Sequence, residues 1–491
     1  MNLIDAILSN ADRRPDHPAL EQNDRVVTYS ALRDEVIDLA GRLREAGIDQ
    51  GDLVGLGMGD TIGYVVAMLA LFRLGAVLLP VDVRWTATEK ANVLRAFGAA
   101  TVLVDDPVDG LQTVRQIIPS DLPPDLSPDV LGAPGQSARP WPDAADLPLL
   151  LSLSSGTTGI PKGPRLTHAQ FMMRLMAEWV TLGFASEDRF LCATPMYFGG
   201  ARGFGLGHLL GGATVILYPP PYTPERLIAA IATTGTTSTF LVPTILRRLI
   251  AETEARPAPF PGLRRLISSG SALHPEERER LRRHVSAGFI NLYASTEGGS
   301  ISALMPDVEG PAALSAGRPA LMSRFEIVDE QDRPLPPYEI GHIRQLAPWL
   351  PDGFFRNPEA SGAAFRDGRY YPGDMGYVDE AGYLFITGRS KDVIKRGGIN
   401  IYPDEIERVL MTHPAVAEAA VLAWPSREFG EEIAAFVVMS GVLEPDALRA
   451  HCRASLATYK IPRRFFPAVD IPKNSSGKVL KARLAGLLDP L

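Results

Sequence analysis

The chain has 491 residues and a net charge of −8. Hydrophobic residues make up 46% and charged residues 22%, an ordinary globular composition that excludes a disordered protein. At about 100–200 residues per domain the length fits three domains, or one large and one small, and an acidic balance without a basic cluster argues against nucleic acid as the main partner.

The two cysteines, Cys192 and Cys452, fit no disulfide framework and no metal-ligand spacing. The start of the chain carries Asp5 inside its apolar stretch and lacks a basic leader, so it does not read as a signal peptide. Residues 65–81 are the most apolar stretch. With Arg73 near its centre it reads as a buried helix turning through Gly75 into a strand, not as a membrane span. A cytoplasmic protein is the expectation. Glycine (45) and proline (42) are numerous, and the question is which loops they serve.

Residues 1–118 alternate helical and strand patterns. Leu32, Val36, Leu39 and Leu43 recur at helical spacing up to Gly47. Apolar strands follow at 52–58, 76–82 and 100–106, with a helix over 64–74 between the first two. This order predicts βαβ units and a mainly parallel sheet. Residues 119–148 hold eight prolines and read as a surface connection. Alternation then resumes in a second doubly wound layer. Its strands are predicted at 147–153, 189–194, 213–218, 238–243, 263–270 and 289–295, with helices such as 167–183 and 223–235 between them. From residue 320 the pattern turns β-like. A charged stretch at 389–398 then precedes a compact α+β segment, which puts the domain boundary at 388–392: an N-terminal domain of residues 1–390 and a C-terminal domain of 391–491.

Five motifs carry chemistry. Ser152-Leu-Ser-Ser-Gly156-Thr-Thr-Gly159-Ile-Pro-Lys162-Gly163 follows an apolar strand and precedes the helix near Thr167. A hydroxyl- and glycine-rich turn there aims N–H groups and hydroxyls at phosphate oxygens. It is not a Walker A loop, because Pro161 and Gly163 replace that loop's second glycine and its Ser/Thr. Asn291-Leu-Tyr293-Ala-Ser-Thr296-Glu297-Gly298-Gly299 closes a strand where an aromatic can stack on a base and a carboxylate can hold Mg²⁺. The others are Tyr371-Pro-Gly-Asp374 with Gly388-Arg389-Ser-Lys391-Asp392, then Gly397-Gly398-Ile-Asn-Ile-Tyr402-Pro403, and finally Pro472-Lys-Asn-Ser-Ser-Gly-Lys478.

In this order and at these separations the five motifs resemble the adenylate-forming superfamily of AMP-dependent acyl-CoA synthetases, peptide-synthetase adenylation domains and firefly luciferase. The resemblance spans essentially the whole chain. It implies an α/β fold with a large N-terminal domain of doubly wound subdomains plus a β-rich subdomain, and a small mobile α+β C-terminal domain. It implies two half-reactions, in which a carboxylic acid and ATP give acyl-AMP and pyrophosphate, and a thiol then displaces AMP. By position, Ser154, Ser155, Gly156, Thr157, Thr158, Gly159 and Lys162 hold phosphates, with Gly270 also at the nucleotide. Thr296 contacts phosphate and Glu297 holds Mg²⁺. Tyr293 stacks on adenine, while Asp374 and Arg389 meet the ribose. Lys391 is the hinge, Lys478 bridges the carboxylate and the α-phosphate, and Gly398 lines the pantetheine tunnel.

Departures inform the acid. Phe198 stands where amino-acid-activating relatives have Asp and many CoA ligases have His. A buried Phe cannot compensate an ammonium, so an aromatic or aliphatic non-amino acid is expected. Gly199 borders the same acyl pocket, and Arg202 either meets a polar or anionic group at the substrate's far end or is a structural arginine paired to a carboxylate. Ile399 replaces a common Glu or Gln in the tunnel motif, and Ala294 a common Gly. His168 and His208 are read as core or solvated residues. No G-x-S-x-G elbow is present. CoA is the expected acceptor, and a separate carrier protein's phosphopantetheine is the alternative. A luciferase-like oxygenase and a non-catalytic binding module are the readings from other classes, the latter opposed by the presence of Lys478, Glu297 and Asp374 together.

Overall fold

Apolar strands alternating with helices build two layered sheets, as the pattern predicts. The structure is a computed structural model that describes residues 2–123, 145–153, 161–255, 260, 262–271, 273–441, 444–473 and 479–488. A six-stranded sheet runs Arg115–Ile117, Thr101–Val104, Leu53–Gly57, Val77–Pro80, Pro148–Leu151, Arg165–Thr167. Its neighbours are parallel except the last pair. The crossover helix Ile62–Leu74 is apolar on nearly every face because it is buried nearly all round, and it stops at Gly75 in the left-handed region (φ 74°).

A nine-stranded sheet has at its centre the parallel strands Phe289–Ser295, Arg265–Ser268, Ser238–Phe240, Arg189–Cys192 and Thr214–Leu217. The start of the chain belongs here and not with residues 53–117. Strand Pro18–Gln22 pairs in parallel with Thr214–Leu217, Leu20 opposite Val215. The buried Tyr29 hydroxyl locks this crossing by donating to the Ala213 carbonyl at 2.7 Å. Antiparallel strands Gly299–Leu304 and Arg318–Pro319 close the other edge.

A third sheet, antiparallel, takes in Arg324–Val328, Gly341–Leu346, Asp374–Val378 and Leu384–Arg389. The C-terminal part is α+β. Strands Ile394–Arg396, Ile399–Ile401, Val416–Ser426, Gly430–Met439 and Arg464–Pro467 are packed by helices Pro403–Met411 and Pro445–Ser455 around Ile406, Val421, Ile433 and Leu448. The protein therefore has a large N-terminal and a small C-terminal domain. Among the described residues no hydrophobic cluster spans the two: the clusters end with Leu384 and Ile386 on one side and start again at Ile394 on the other.

His208 reads as part of a helical pattern, and the helix found there is unusual. Residues Gly199–Gly211 form thirteen residues of α-helix although six of them are glycine. Glycine costs about 1 kcal/mol against alanine inside a helix, so packing must supply the stability. The glycines let this helix approach helix His168–Leu182 closely. A methyl at Gly207 would meet Leu175 at 3.9 Å, ordinary contact, whereas one at Gly211 would overlap the Trp179 ring. His208 on the same helix is a core residue, held by the Phe204 carbonyl and the Ser238 hydroxyl, and burial lowers its pKa to about 4.

Gly211→Ala should thus destabilise the protein by about 1–3 kcal/mol through overpacking, while Gly207→Ala should leave it unchanged or slightly more stable. Thermal unfolding midpoints of the two variants check this, and equal shifts would contradict the packing argument.

Candidate active site

Site residues gather beyond the carboxyl ends of the parallel strands, where open α/β sheets take ligands. Strand Pro148–Leu151 runs into the motif at Ser152, and the chain returns through the antiparallel strand Arg165–Thr167. The helix that the motif was expected to precede starts at His168, directly after this short strand. Thr167 caps that helix in a capping box with Gln170. Ser154, Ser155, Gly156, Thr157, Thr158 and Gly159 lie outside the described residues, as does Lys478. The loop's exit is pinned: the Phe355 amide donates to the Gly163 carbonyl at 2.9 Å, and Lys162 lies over the Phe354 ring at 5.9 Å.

Tyr293, Asp374 and Arg389 come together from two sheets. Asp374 is 7% exposed and opens strand Asp374–Val378. One of its oxygens accepts from the Tyr293 hydroxyl at 2.5 Å, and the other from Arg389 Nε at 2.9 Å. Arg389 stands directly across the antiparallel ladder from Asp374. Burial and the adjacent carboxylate push the Tyr293 hydroxyl's pKa well above its ordinary value, so it remains a donor. A carboxylate offers about four acceptor sites, which leaves capacity on Asp374 for two ligand hydroxyls.

Thr296 and Glu297 follow at the end of strand Phe289–Ser295. The Tyr370 hydroxyl is 3.4 Å from Glu297 Oε2. Among the described residues no group of three or more His, Cys, Asp or Glu gathers as a metal cage. One carboxylate at a strand end suits Mg²⁺ that arrives with nucleotide phosphates, which is how that ion is commonly held. Gly270, past the end of strand Arg265–Ser268, is left-handed (φ 99°) and faces open space.

Sequence reasoning missed the supports of this turn. Arg174, Gln345 and Trp349 are all buried. Arg174 donates to the Thr296 carbonyl at 3.0 Å and to the Glu297 carbonyl. Trp349 Nε1 donates to the Gly298 carbonyl at 2.7 Å and Gln345 Nε2 to the same oxygen at 3.1 Å. One signal was available: Arg174 sits between Phe171 and Leu175, on the apolar face of a predicted amphipathic helix.

Phe198 precedes helix Gly199–Gly211 as its N-cap. The loop around it is held from below, because the Met196 amide donates to Asp60 Oδ1 at 2.6 Å. Burial raises the Asp60 carboxyl to about 6. Arg84, paired with Asp82, lies 5.5 Å from both the Tyr197 and Phe198 rings. A methyl at Gly199 would come 3.7 Å from the Ser152 hydroxyl, so the acyl-pocket candidates border the phosphate-loop motif.

Of the two readings of Arg202, the geometry favours the structural one, with backbone carbonyls in place of a carboxylate. Arg202 is 1% exposed, and its guanidinium donates to the Met196 and Tyr197 carbonyls at 3.2 and 3.0 Å. Its Nη1 is thus committed to the turn that carries Phe198, and the buried side chain supports that turn.

At the domain junction, Lys391 is exposed on a short 3₁₀ turn, Ser390–Asp392. The Ser390 amide and hydroxyl both donate to the Gly373 carbonyl, at 2.9 and 3.2 Å, beside Asp374. Gly397 and Gly398 have φ of 55° and 84° and turn the hairpin between strands Ile394–Arg396 and Ile399–Ile401. Gly398 is exposed and faces open space.

This arrangement has known counterparts. Residues 8–353 match the AMP-binding enzyme family, and residues 405–478 match the AMP-binding enzyme C-terminal domain. The chain belongs to the AMP-binding enzyme family. The 2-succinylbenzoate–CoA ligase of Geobacillus kaustophilus is 30% identical over 96% of each chain. The fatty acid–[acyl-carrier-protein] ligase ScoC of Streptomyces coeruleorubidus is 29% identical over 98% of this chain and 95% of its own length. The Bacillus subtilis o-succinylbenzoate CoA synthetase, solved with its acyl-adenylate intermediate, superposes with a TM-score of 0.87 at 27% identity, covering 98% of this chain and 97% of that one. That enzyme has also been solved with ATP and magnesium ion. Like these relatives, this AMP-binding enzyme is an ATP-dependent, AMP-forming ligase. None of its described helices is long and apolar enough to cross a membrane.

Tyr293→Phe removes one of the two donors on the Asp374 carboxylate. A hydrogen bond to a charged group contributes about 1.5–3 kcal/mol, so the KM for ATP should rise about tenfold or more while kcat at saturating ATP changes little. Initial rates across ATP concentrations measure this, and an unchanged KM would contradict the role given to the pair.

Proposed function

We propose that this ligase is an acyl-CoA synthetase acting on an aromatic or aliphatic carboxylic acid that is not an amino acid. The observation that carries the reading is the Tyr293–Asp374–Arg389 constellation next to the Thr296–Glu297 turn. An apolar Phe198 at the start of the glycine-rich helix supports the choice of acid. In the first step the substrate carboxylate oxygen attacks the α-phosphorus of ATP. The bond to the bridging pyrophosphate oxygen breaks, and acyl-AMP forms. In the second step the CoA sulfur adds to the acyl carbonyl carbon, AMP leaves with its phosphate oxygen, and the thiol proton passes to water.

The residues divide the work as positioning and charge stabilisation, which is what phosphoryl and nucleotidyl transfer require. Asp374 and Arg389 meet the ribose, and the Tyr293 ring stacks on adenine. Residues 154–162 and Thr296 orient the phosphates. Glu297 holds Mg²⁺, which offsets phosphate charge when bound. Lys478 bridges the acid's carboxylate and the α-phosphate, where it stabilises charge that grows in the transition state. We put the domain boundary at residues 390 and 391, with Lys391 the hinge about which residues 391–491 turn. That rotation withdraws Lys478 and brings Gly398 to the pantetheine path, a gating use of a hinge.

A second acceptor has specific support. The similarity to a fatty acid–[acyl-carrier-protein] ligase is nearly as extensive as that to the CoA ligases. Product analysis with CoA and with a phosphopantetheinylated carrier separates the two acceptors.

Carboxylate-dependent ATP–pyrophosphate exchange across a panel of aryl, alkyl and amino acids tests the proposal. Aryl or alkyl acids should support exchange and α-amino acids should not. No exchange with any acid, or exchange with amino acids alone, would overturn it. Lys478→Ala should abolish acyl-AMP formation yet retain thioester formation from supplied acyl-AMP. Equal loss of both half-reactions would contradict domain alternation.

A further inference from the structure

Three consecutive peptide carbonyls of the Thr296–Gly298 turn are held by buried side chains. Arg174 takes the first two with separate guanidinium nitrogens. Trp349 and Gln345, both 0% exposed, take the third. A turn at a strand end usually spends its carbonyls on water or neighbouring backbone. Here a cation that is 6% exposed is committed to two of them.

Burying an arginine is costly unless its charge is balanced. Glu178, four residues on along helix His168–Leu182, shares its face, and its charge is the leading one that favours the Arg174 cation, followed by that of Glu297. The Glu178 carboxylate also accepts from the Ser300 hydroxyl at 2.8 Å, on the strand that follows the turn. One helix thus grips the turn at 296–297 and the strand at 300. Gly299 between them is left-handed (φ 68°), and a methyl there would lie 3.3 Å from Arg174 Cδ and 3.1 Å from Trp349 Nε1. The turn is fitted against its supports with no room for a side chain. Arg174 has no route to solvent-borne ligand through them, so its effect on chemistry must pass through the turn.

We propose that Arg174, with Glu178 on the same helix face, is a positioning residue that fixes the two peptide planes carrying Thr296 and Glu297, and so sets the geometry in which magnesium-bound ATP is met. The inference rests on the nucleotide roles given to Thr296 and Glu297. It separates Arg174 from residues that only stabilise the fold, because misplacing those two side chains harms adenylation specifically. The thiol step uses acyl-AMP already formed and does not need the pyrophosphate-bearing nucleotide.

Arg174→Gln is the first variant. It leaves Glu178 without its counter-charge and is expected to lower stability, which alone would confuse the result. The double variant Arg174→Gln/Glu178→Gln removes both charges and restores neutrality, so its unfolding midpoint should return toward the parent's. Its ATP–pyrophosphate exchange should nevertheless stay depressed by on the order of 10²-fold, the scale of a small misplacement at a reacting centre. The Mg²⁺ concentration for half-maximal exchange should rise, and thioester formation from supplied acyl-AMP should stay within about threefold of the parent, well below one such misplacement. If the double variant recovers exchange along with stability, or loses both half-reactions in equal proportion, the positioning role is overturned. Absence of exchange in the parent enzyme would instead overturn the ligase proposal on which the inference rests.

Discussion

The buried carboxylate of Asp374 is the contact on which the rest of the site depends. Its two donors come from different sheets, Tyr293 from the nine-stranded sheet and Arg389 from the antiparallel one. A buried carboxylate is stable only while its charge and hydrogen bonds are met, so the two sheets are held in one relative position by the need to satisfy it. The domain junction is tied to the same point, because Ser390 bonds to the carbonyl of Gly373, the residue before Asp374. In the C-terminal domain, Asp404 lies against Gly388, the neighbour of Arg389, about 3.5 Å from where a methyl would stand. The proposed nucleotide site and the proposed hinge therefore share one anchor.

Much of this was legible in the sequence, because strand and helix periods are local. The strands at 53–57, 77–80, 148–151, 189–192, 214–217 and 289–295 and the helices at 62–74 and 168–182 fall where apolar spacing puts them. The motifs were legible because phosphate, ribose and cation chemistry restrict which residues can serve. Three features were hidden, each for a physical reason. The helical pattern around His208 was legible, but what stabilises the glycine-rich helix Gly199–Gly211 against intrinsic propensity is tertiary packing, which local pattern does not show. The pairing of Pro18–Gln22 with Thr214–Leu217 joins residues about 200 positions apart, beyond any local pattern. Arg202 stood open between a ligand and a structural role because sequence gives position but not direction, and its side chain turns back onto its own entry loop.

The abundant glycine of the composition now divides by use. Gly398 and Gly270 are left-handed and stand beside open space, where backbone can approach a ligand, while Gly397, also left-handed, packs close to the Phe429 ring. Gly211 and Gly299 serve close packing, of helix on helix and of the nucleotide turn on its supports. The proline-rich stretch contributes one 3₁₀ turn, Pro119–Asp121, and lies from residue 124 to 144 outside the described residues.

The central claim is that Asp374 anchors a nucleotide site. Calorimetric titration of magnesium-bound ATP into the parent enzyme and into Asp374→Ala tests it most directly, with unfolding midpoints recorded alongside. The account predicts saturable binding to the parent and binding weakened by about tenfold or more in the variant, the scale of hydrogen bonds to a charged group. Equal affinity in a folded variant would contradict it.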